Sequence, residues 1–590
     1  MRKITKKILC LALAFTTVFS AQGCIRRGQS GEQVRKDATQ LYIGLGTNGL
    51  TRWMENAKKK FEEKYADVSF ENGKKGVQIF FNYNEQFSNF DTLPLNYTNY
   101  QEKLIITENV AYNKIIPIAL DITDVATTPL NQKLDADETA RTESSSIAGK
   151  MLPQYKNYYE YEGKYYALPS QIARSGLVYD VDLFENNYLY FASSTAEHYY
   201  EYSCKNAYSG KNAVYRFVDE GYTKEELSAG PDGETGTYDD GLPATYEEFF
   251  ALCDYMKKEF GIEPVRWAGK VQSYMMGVID GLAADYEGDE YLLKTHFDGT
   301  ATHLINFDDN GSVILDSDGN PEIHSEAIAM QNGYELTAQA GFYYALKFLE
   351  KFIASDYYDK DLCFNGTSDH LTTQSKYLLS AKDSKVSSIA MLAEGSWWYG
   401  EADNTFKDMA AKYGDEWSAE NRRFAYLPLP KADESKIGQK ESTQAVLNMT
   451  SFITKDVNAA QLKAAKYFMR EMYSRDGILD FVSVTGQMRP YSIDLTDEEY
   501  DSLTEFGKSN YQTLKNFNIL FTPSFSPAYL VNNSILDASF NFHWTSNIGS
   551  VATQVIRSGY SAKRYFEEIH KYWTKEKWDG YYAGVAYDKK

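Results

Sequence analysis

A short acidic, glycine-rich segment has the residue types of a cation site. Residues 230–241 carry Asp232, Glu234, Asp239 and Asp240 among four glycines. Ca²⁺ takes about six to eight oxygen ligands, which a sharply turning chain can supply. The spacing does not follow the EF-hand pattern. The sequence therefore leaves two alternatives open: a calcium site formed by these four carboxylates, or an acidic surface turn.

Aromatic side chains are unusually frequent in this chain. Its 590 residues include 48 Tyr, 32 Phe and 8 Trp, which together make 15%. Flat apolar rings with polar edges are suited to stacking on sugar rings, and hydroxyl groups pair with carboxylates and amides. An aromatic core would give the same composition. The aromatic content therefore indicates either carbohydrate binding or aromatic-rich packing.

Two adjacent tryptophans are candidates for such stacking. Trp397 and Trp398 follow Gly395-Ser396 and are predicted at the start of a helix. Neighbouring helical positions point in different directions, so we expect one ring to pack in a core and the other to face a cleft. We favour Trp397 for the cleft. Glu394 could accept ligand hydroxyls there, or it could be a solvated loop carboxylate.

The first 23 residues have the layout of a bacterial export signal. A basic start is followed by an apolar run from Ile8 to Phe19 that is too short to span a bilayer comfortably. Small residues then lead into Cys24 and resemble a lipobox, although Ala21 stands where leucine is usual. We predict a signal peptide at 1–23, lipidation of Cys24 and a flexible tether at 24–39. A plain secretory signal is the alternative.

Charge and cysteine content exclude several classes of protein. The formal net charge is −21, and the first 23 residues carry four basic and no acidic side chains. Such a negative field disfavours nucleic acid and anionic lipid surfaces, and it suits a neutral ligand or a cation. Beyond Cys24 only Cys204, Cys253 and Cys363 remain, without a CxxC pair. This argues against a disulfide scaffold or a zinc site.

The candidate residues must be positioned by a sheet. Apolar runs at 41–45, 77–81 and 103–107 alternate with helical or loop segments, one of which has Trp53, Met54, Ala57 and Phe61 at helical spacing. This alternation predicts an α/β lobe with a parallel sheet, whose ligands bind beyond the carboxyl ends of the strands. Polar residues follow these predicted ends and are either ligand contacts or turn residues: Asn48, Asn84, Glu85 and Asn109.

Six stretches, taken in order, resemble one protein family. The family is the extracellular solute-binding proteins (family 1 type) of bacterial carbohydrate ABC transporters, including the maltose/oligosaccharide-binding lipoproteins. The stretches are similar to that family's crossover, helix start, "AM-GSW" segment, late strand and helix, and "TG-P" turn. The stretches are 161–169 with 176–184, 242–249, 389–398, 427–430, 452–468 and 486–490. The resemblance covers roughly residues 40–590.

This resemblance implies a periplasmic-binding-protein-like fold: two α/β lobes joined by hinge strands, with a ligand cleft between them. We expect lobe 1 at 40–170, lobe 2 at 171–440, a return to lobe 1 at 441–495, and C-terminal helices at 496–590 mainly on lobe 2. Insertions are expected in lobe 2 at about 185–242 and 285–326. Closure of the lobes would couple binding to their geometry.

The resemblance also implies site residues. Trp397 matches an aromatic that stacks on sugar in the family, and Tyr274 and Trp544 match further aromatic contacts. Arg174, in the crossover, could bind hydroxyls or an acidic sugar through its guanidinium, or it could pair with a carboxylate for structural reasons.

The implied function is that of a lipid-anchored, extracytoplasmic binding protein with no chemistry of its own. It would deliver a carbohydrate, expected to be an oligosaccharide, to ABC permease subunits served by a separate ATPase. We expect a monomer at the cell membrane that binds no nucleic acid and needs no cofactor besides the possible structural Ca²⁺. Two alternatives stay open: an extracellular glycoside hydrolase, and a sugar receptor for a sensor kinase.

Overall fold

The chain folds around two separate apolar cores. The computed structural model describes residues 33–89, 91–383, 385–445, 449–523, 555 and 558–580. One core lies within lobe 1, and the other lies within lobe 2 together with a smaller aromatic cluster around Trp398. The fold class predicted from the sequence, two α/β lobes, is therefore confirmed. Among the described residues, no helix combines the length and apolar character needed to cross a bilayer.

Fifteen strands are found in the described residues. They are, from β1 to β15, Thr39–Leu45, Val77–Tyr83, Leu104–Glu108, Leu168–Pro169, Ser175–Asp180, Tyr199–Lys205, Asn212–Val218, Glu263–Arg266, Gly299–Ile305, Ile323–Ile328, Ile389–Gly395, Phe424–Leu427, Ser442–Ala445, Met449–Ile453 and Asn518–Phe521.

Twenty α-helices have both ends within the same residues, and a further helical segment lies at 575–580. They are, from α1 to α20, Thr51–Lys64, Leu93–Asn96, Tyr112–Ile115, Thr123–Thr127, Ile147–Lys150, Pro153–Tyr159, Val181–Asn186, Tyr246–Glu259, Ser273–Glu287, Leu293–His296, Ala340–Ala354, Lys360–Cys363, His370–Ser380, Trp398–Glu401, Asp403–Tyr413, Ala459–Met472, Arg475–Thr485, Asp497–Asp501, Glu505–Asn516 and Ala562–Tyr572.

Lobe 1 is built on a five-stranded sheet in the order β2-β1-β3-β14-β4. The first three strands are parallel, as the alternation of apolar and helical segments predicts, and β14 and β4 run antiparallel to their neighbours. Helix α1 buries Trp53, Met54 and Phe61, the residues whose spacing predicts it. The carboxyl ends of β1, β2 and β3 therefore lie along one edge of the sheet, which positions the loops that follow them.

Lobe 2 is built on a four-stranded sheet in the order β12-β5-β11-β8. Strand β11 is buried along its whole length and pairs antiparallel with β5 and parallel with β8. Helix α8 begins at Tyr246 and is capped by Thr245, whose hydroxyl accepts the Glu248 amide hydrogen, so a helix start is found within the predicted stretch 242–249. Glu394 is the penultimate residue of β11, and the pairing of β11 with β5 and β8 fixes its position.

The chain crosses from lobe 1 to lobe 2 at residues 170–174, and this crossover is hydrogen-bonded to residues 486–489 of lobe 1. The Ile172 amide donates to the Met488 carbonyl, and the Arg489 guanidinium donates to the Ser170 carbonyl. Gln171 and Gln487 form a buried side-chain hydrogen bond of 2.9 Å beside them. The start of the crossover is thus fixed to lobe 1.

Several elements lie near the remaining expected boundaries, which stay predictions. Strand β1 begins at Thr39, and the Arg35 amide donates to Gln78 Oε1, so the last residues of the predicted tether contact lobe 1. The first expected insertion contains the hairpin β6–β7, and the second ends in the strand pair β9–β10. Helix α20 packs on α11 of lobe 2. The cysteines that follow the predicted anchor are free and buried: Cys204, Cys253 and Cys363.

Candidate functional site

The two adjacent tryptophans have different environments. Trp398 is fully buried and packs edge-on against the rings of Tyr377, Phe424 and Phe506. Trp397 is only partly buried, and its indole Nε1 lies 3.4 Å from the Tyr274 hydroxyl, to which it donates. The two rings are tilted by 50° with centroids 6.1 Å apart. The pair Trp397–Tyr274 is therefore available as an aromatic wall, whereas Trp398 belongs to a core.

Two carboxylates lie beside this aromatic wall and share one amide. Gln374 Nε2 donates to Glu394 Oε1 at 3.1 Å and to Glu401 Oε2 at 2.9 Å. Glu394 is 1% exposed, so the solvated-loop alternative does not describe it. Burial, and then the charge of Glu401, raise the Glu394 pKa well above its usual value. His370 Nε2 lies 3.9 Å from Glu401 Oε1.

Lobe 1 faces this group with further acids. Glu108 ends β3, and Glu85 begins the 3₁₀ helix that follows β2. Burial, then the charges of Glu401 and Glu85, raise the Glu108 pKa to about 7. Because Glu401 belongs to lobe 2, this effect acts across the gap between the lobes. Tyr83 lies beside the same acids and is 38% exposed.

The lobes touch closely at this place. A Cβ at Gly400 would meet the Gly49 carbonyl oxygen at 2.4 Å, and one at Gly49 would meet the Trp397 carbonyl oxygen at 3.3 Å. Arg52 of α1 lies 3.7 Å from Asp403 of lobe 2 and also pairs with Glu420. The structure thus holds the lobes together around the acids and the aromatic wall.

The other lobe 1 candidates follow strand ends as predicted. Asn84 is exposed, and its Oδ1 accepts the Gln86 amide hydrogen, which makes it a helix cap. Asn109 is exposed and has φ of 58°. Asn48 begins the 3₁₀ helix Asn48–Leu50. The structure therefore brings Glu85 to the acids, assigns a local turn role to Asn84, and leaves Asn48 and Asn109 as predictions.

Arg174 lies in the crossover rather than in an open cleft. Its guanidinium carbon is 3.7 Å from the Tyr426 ring centroid, and its Nε donates to Asn510 Oδ1 at 3.4 Å. The side chain is buried, and desolvation lowers its pKa. Its closest printed contacts are thus the Tyr426 ring and Asn510, and a ligand role for Arg174 stays a prediction.

The carboxylates of the acidic segment 230–241 form hydrogen bonds within their own loop. Asp239 Oδ2 accepts the Asp232 amide hydrogen, Asp232 Oδ1 accepts that of Glu234, and Asp240 Oδ2 accepts that of Gly236. Within the described part of the chain, the only group of three His, Cys, Asp or Glu side chains close enough to share a metal ion lies elsewhere. Calcium binding by Asp232, Glu234, Asp239 and Asp240 stays a prediction.

Several residues of this group were not singled out from the sequence. Glu108, His370, Gln374 and Glu401 come from three separate elements, with His370 and Gln374 both on α13, and only the fold brings them together. One signal was available: Glu401 lies four positions after Trp397, which places both on one face of a helical turn. Trp544 and Cys24 lie outside the described residues.

Comparison with known proteins gives distant structural similarity. No protein-family model matches the chain, and no curated protein sequence matches it. Maltose-bound MalE3 from T. maritima has 14% identity and a TM-score of 0.47, covering 90% of this chain and 98% of its own. RafE in complex with raffinose has 10% identity and a TM-score of 0.48, covering 90% and 98%.

A third similar structure comes from work on xylan utilization by Caldanaerobius polysaccharolyticus. It has 12% identity and a TM-score of 0.49, and the match covers 91% of this chain and 100% of the other. At such low identity the similarity does not transfer a ligand. The site must be judged on its own side chains.

Proposed function

We propose that this protein captures a carbohydrate, preferentially an oligosaccharide, in the cleft between its two lobes. It then delivers the sugar to the permease of an ABC transporter, whose ATPase is a separate subunit. The protein performs no chemistry itself. Closure of the lobes on the sugar is the signal that a permease can sense.

One observation carries this proposal: an aromatic pair and several carboxylates meet where the two lobes touch. Trp397 and Tyr274 offer ring faces for the apolar C–H patches of a sugar. Glu394, Glu401 and Glu108 surround them with hydrogen-bond acceptors from both lobes. A hydroxyl-rich ligand matches both features, since each hydroxyl can donate to a carboxylate while the ring stacks.

The proposed location follows from the N-terminus. Export by the signal at 1–23 and lipidation of Cys24 would place the protein on the extracytoplasmic face of the cell membrane. A short tether beyond Cys24 would keep a monomeric binder close to its permease and raise its effective concentration there. Mass spectrometry of the purified protein tests this, because lipidation adds the mass of the acyl chains at Cys24.

The test of binding is ligand-dependent melting across a panel of oligosaccharides, followed by calorimetry on each ligand that stabilises the protein. We expect one site per chain and no change in the sugar, checked by chromatography after long incubation. Trp397→Ala should abolish the melting shift. Trp417→Ala serves as the matched control, because that tryptophan packs on Tyr413 instead. Absence of a shift with every sugar, or loss of the shift in both variants, would reject the proposal.

The two alternatives have their own signatures. Accumulating product would identify a glycoside hydrolase, whose acid and base would be sought among the same carboxylates. A sensor-kinase receptor would bind sugar equally well. Its gene would neighbour a kinase rather than two permease genes.

A further inference from the structure

A second cluster of side chains lies in lobe 2, where the second insertion begins. Glu287 is the last residue of α9, Glu290 lies in the following 3₁₀ helix, and His303 is on β9. One potential ligand atom from each of the three lies within 4.8 Å of the others. His303 Nδ1 is 3.7 Å from Glu287 Oε2 and 3.8 Å from Glu290 Oε2.

From this arrangement we propose that Glu287, Glu290 and His303 bind a divalent transition-metal ion, for which Zn²⁺ is the probe. One imidazole and two carboxylates form a ligand set that zinc accepts, with water in the fourth position. Ligands about 2.0–2.2 Å from a tetrahedral ion are separated by about 3.3–3.6 Å. The two His303 distances exceed this by only a few tenths of an ångström.

The Glu287 carboxylate supplies independent support. Its Oε1 accepts the Gly341 amide hydrogen at 2.6 Å, which fixes its orientation. Its Oε2 is buried and has no hydrogen-bond partner among the described residues, although the side chain is only 1% exposed. An unpartnered buried carboxylate oxygen is costly, so a cation at this oxygen would offset a real deficit.

The surroundings hold the other ligands and leave a path to solvent. The Thr302 amide and hydroxyl donate to the two Glu290 oxygens. These hydrogen bonds fix the orientation of the Glu290 carboxylate, as groups behind a metal ligand commonly do. The nearby Lys294 ammonium lies 3.2 Å from the Tyr291 ring centroid, and its charge interacts with those of Asp280 and Glu287. The His303 side chain is 26% exposed, and an ion could enter from its side. The low cysteine content argued against a zinc site, but this set contains no cysteine.

Bound metal would join the end of α9 to β9 and so stabilise the insertion. It would act as a structural staple, separate from the sugar site and independent of the proposed function. The ligands come from three elements, so the unfolded chain would bind the ion weakly.

The test is calorimetric titration of ZnCl₂ into the chelator-treated, untagged protein at pH 7. We expect one ion per chain, and His303→Ala should weaken binding at least tenfold. His324→Ala is the matched control, because that exposed histidine lies beside Glu326 outside the cluster. Because Glu287→Gln changes a buried position, Co²⁺ absorption of the unmutated protein, of His303→Ala and of His324→Ala gives a second measurement. An intense tetrahedral spectrum lost only in His303→Ala supports the site. Equal zinc affinity in all three proteins, or no binding at 1 mM zinc, overturns it.

Discussion

The Glu108 carboxyl should make sugar binding depend on pH. Burial and the charges of Glu401 and Glu85 raise its pKa to about 7 from an ordinary 4.5. Glu401 lies on the opposite lobe, so opening the cleft removes its charge and admits water. We therefore expect the Glu108 pKa to fall toward its ordinary value in the open protein.

The sign and size of the effect follow from this difference. Between pH 4.5 and 7 the closed state holds a proton that the open state has lost, so closure takes up a proton and weakens as pH rises. If the Glu108 pKa returns fully to 4.5 in the open state, the free energy of closure becomes about 3 kcal/mol less favourable at high pH, because each pKa unit corresponds to 1.36 kcal/mol. Between pH 6 and pH 8 the affinity for a neutral sugar should fall by up to about tenfold.

Calorimetry at pH 6, 7 and 8 with the tightest neutral oligosaccharide measures this. Glu108→Gln should flatten the profile, because the amide cannot ionise. Glu71→Gln should leave the slope intact, since Glu71 is exposed and precedes β2, at the opposite end of the sheet. Other ionisable side chains face the same place and are present in both proteins: Glu85, Glu394, Glu401, Tyr83 and His370. The difference between the two profiles therefore isolates Glu108.

Two results would refute this reasoning. A flat or rising profile in the unmutated protein would show that Glu108 does not take up a proton on closure. The same slope in Glu108→Gln would assign the pH dependence to another group. A ligand with a protonated amine would behave differently, because its charge stabilises the ionised carboxylate and removes the loss of affinity above pH 7.

Further substitutions test the site and the cores. Trp397→Ala should weaken sugar binding by more than about 1 kcal/mol with little change in urea unfolding. Trp398→Ala should lower the free energy of unfolding by about 3–5 kcal/mol, because it empties a core position; a silent change would contradict its burial. Lys431→Met should cost about 3–5 kcal/mol in the same assay, since it leaves Asp285 buried and unpaired. Gly400→Ala should weaken sugar binding and enlarge the radius of gyration, because its methyl group collides with the lobe 1 backbone; unchanged scattering would argue against that contact.

Several local features were predictable because they depend on neighbours in sequence. The strand at 41–45, the helix with Trp53 and the strand at 77–81 follow from apolar spacing, and each is found within a few residues of its predicted bounds. The contrast between Trp397 and Trp398 is of the same kind. Adjacent side chains on one helical turn must face different ways.

The calcium prediction shows what residue types alone leave open. Asp232 and Asp239 are of the residue type found in cation loops, and one oxygen of each accepts an amide hydrogen of the loop itself. Spacing in sequence does not reveal which way a carboxylate points. Short-range hydrogen bonds compete with an ion for the same oxygens.

The sequence by itself determined the two α/β lobes, the aromatic candidates and the likeness of its motifs to sugar-binding proteins, because periodicity and ordered motifs are local properties. Only the tertiary structure decided which charges meet. Glu401 is far from Glu108 in the chain, but its charge raises the Glu108 pKa across the cleft, and Glu287 and His303 approach within 3.7 Å. The proximity of these side chains depends on how sheets, helices and lobes pack. The same packing buries them, which makes their charged forms less favourable.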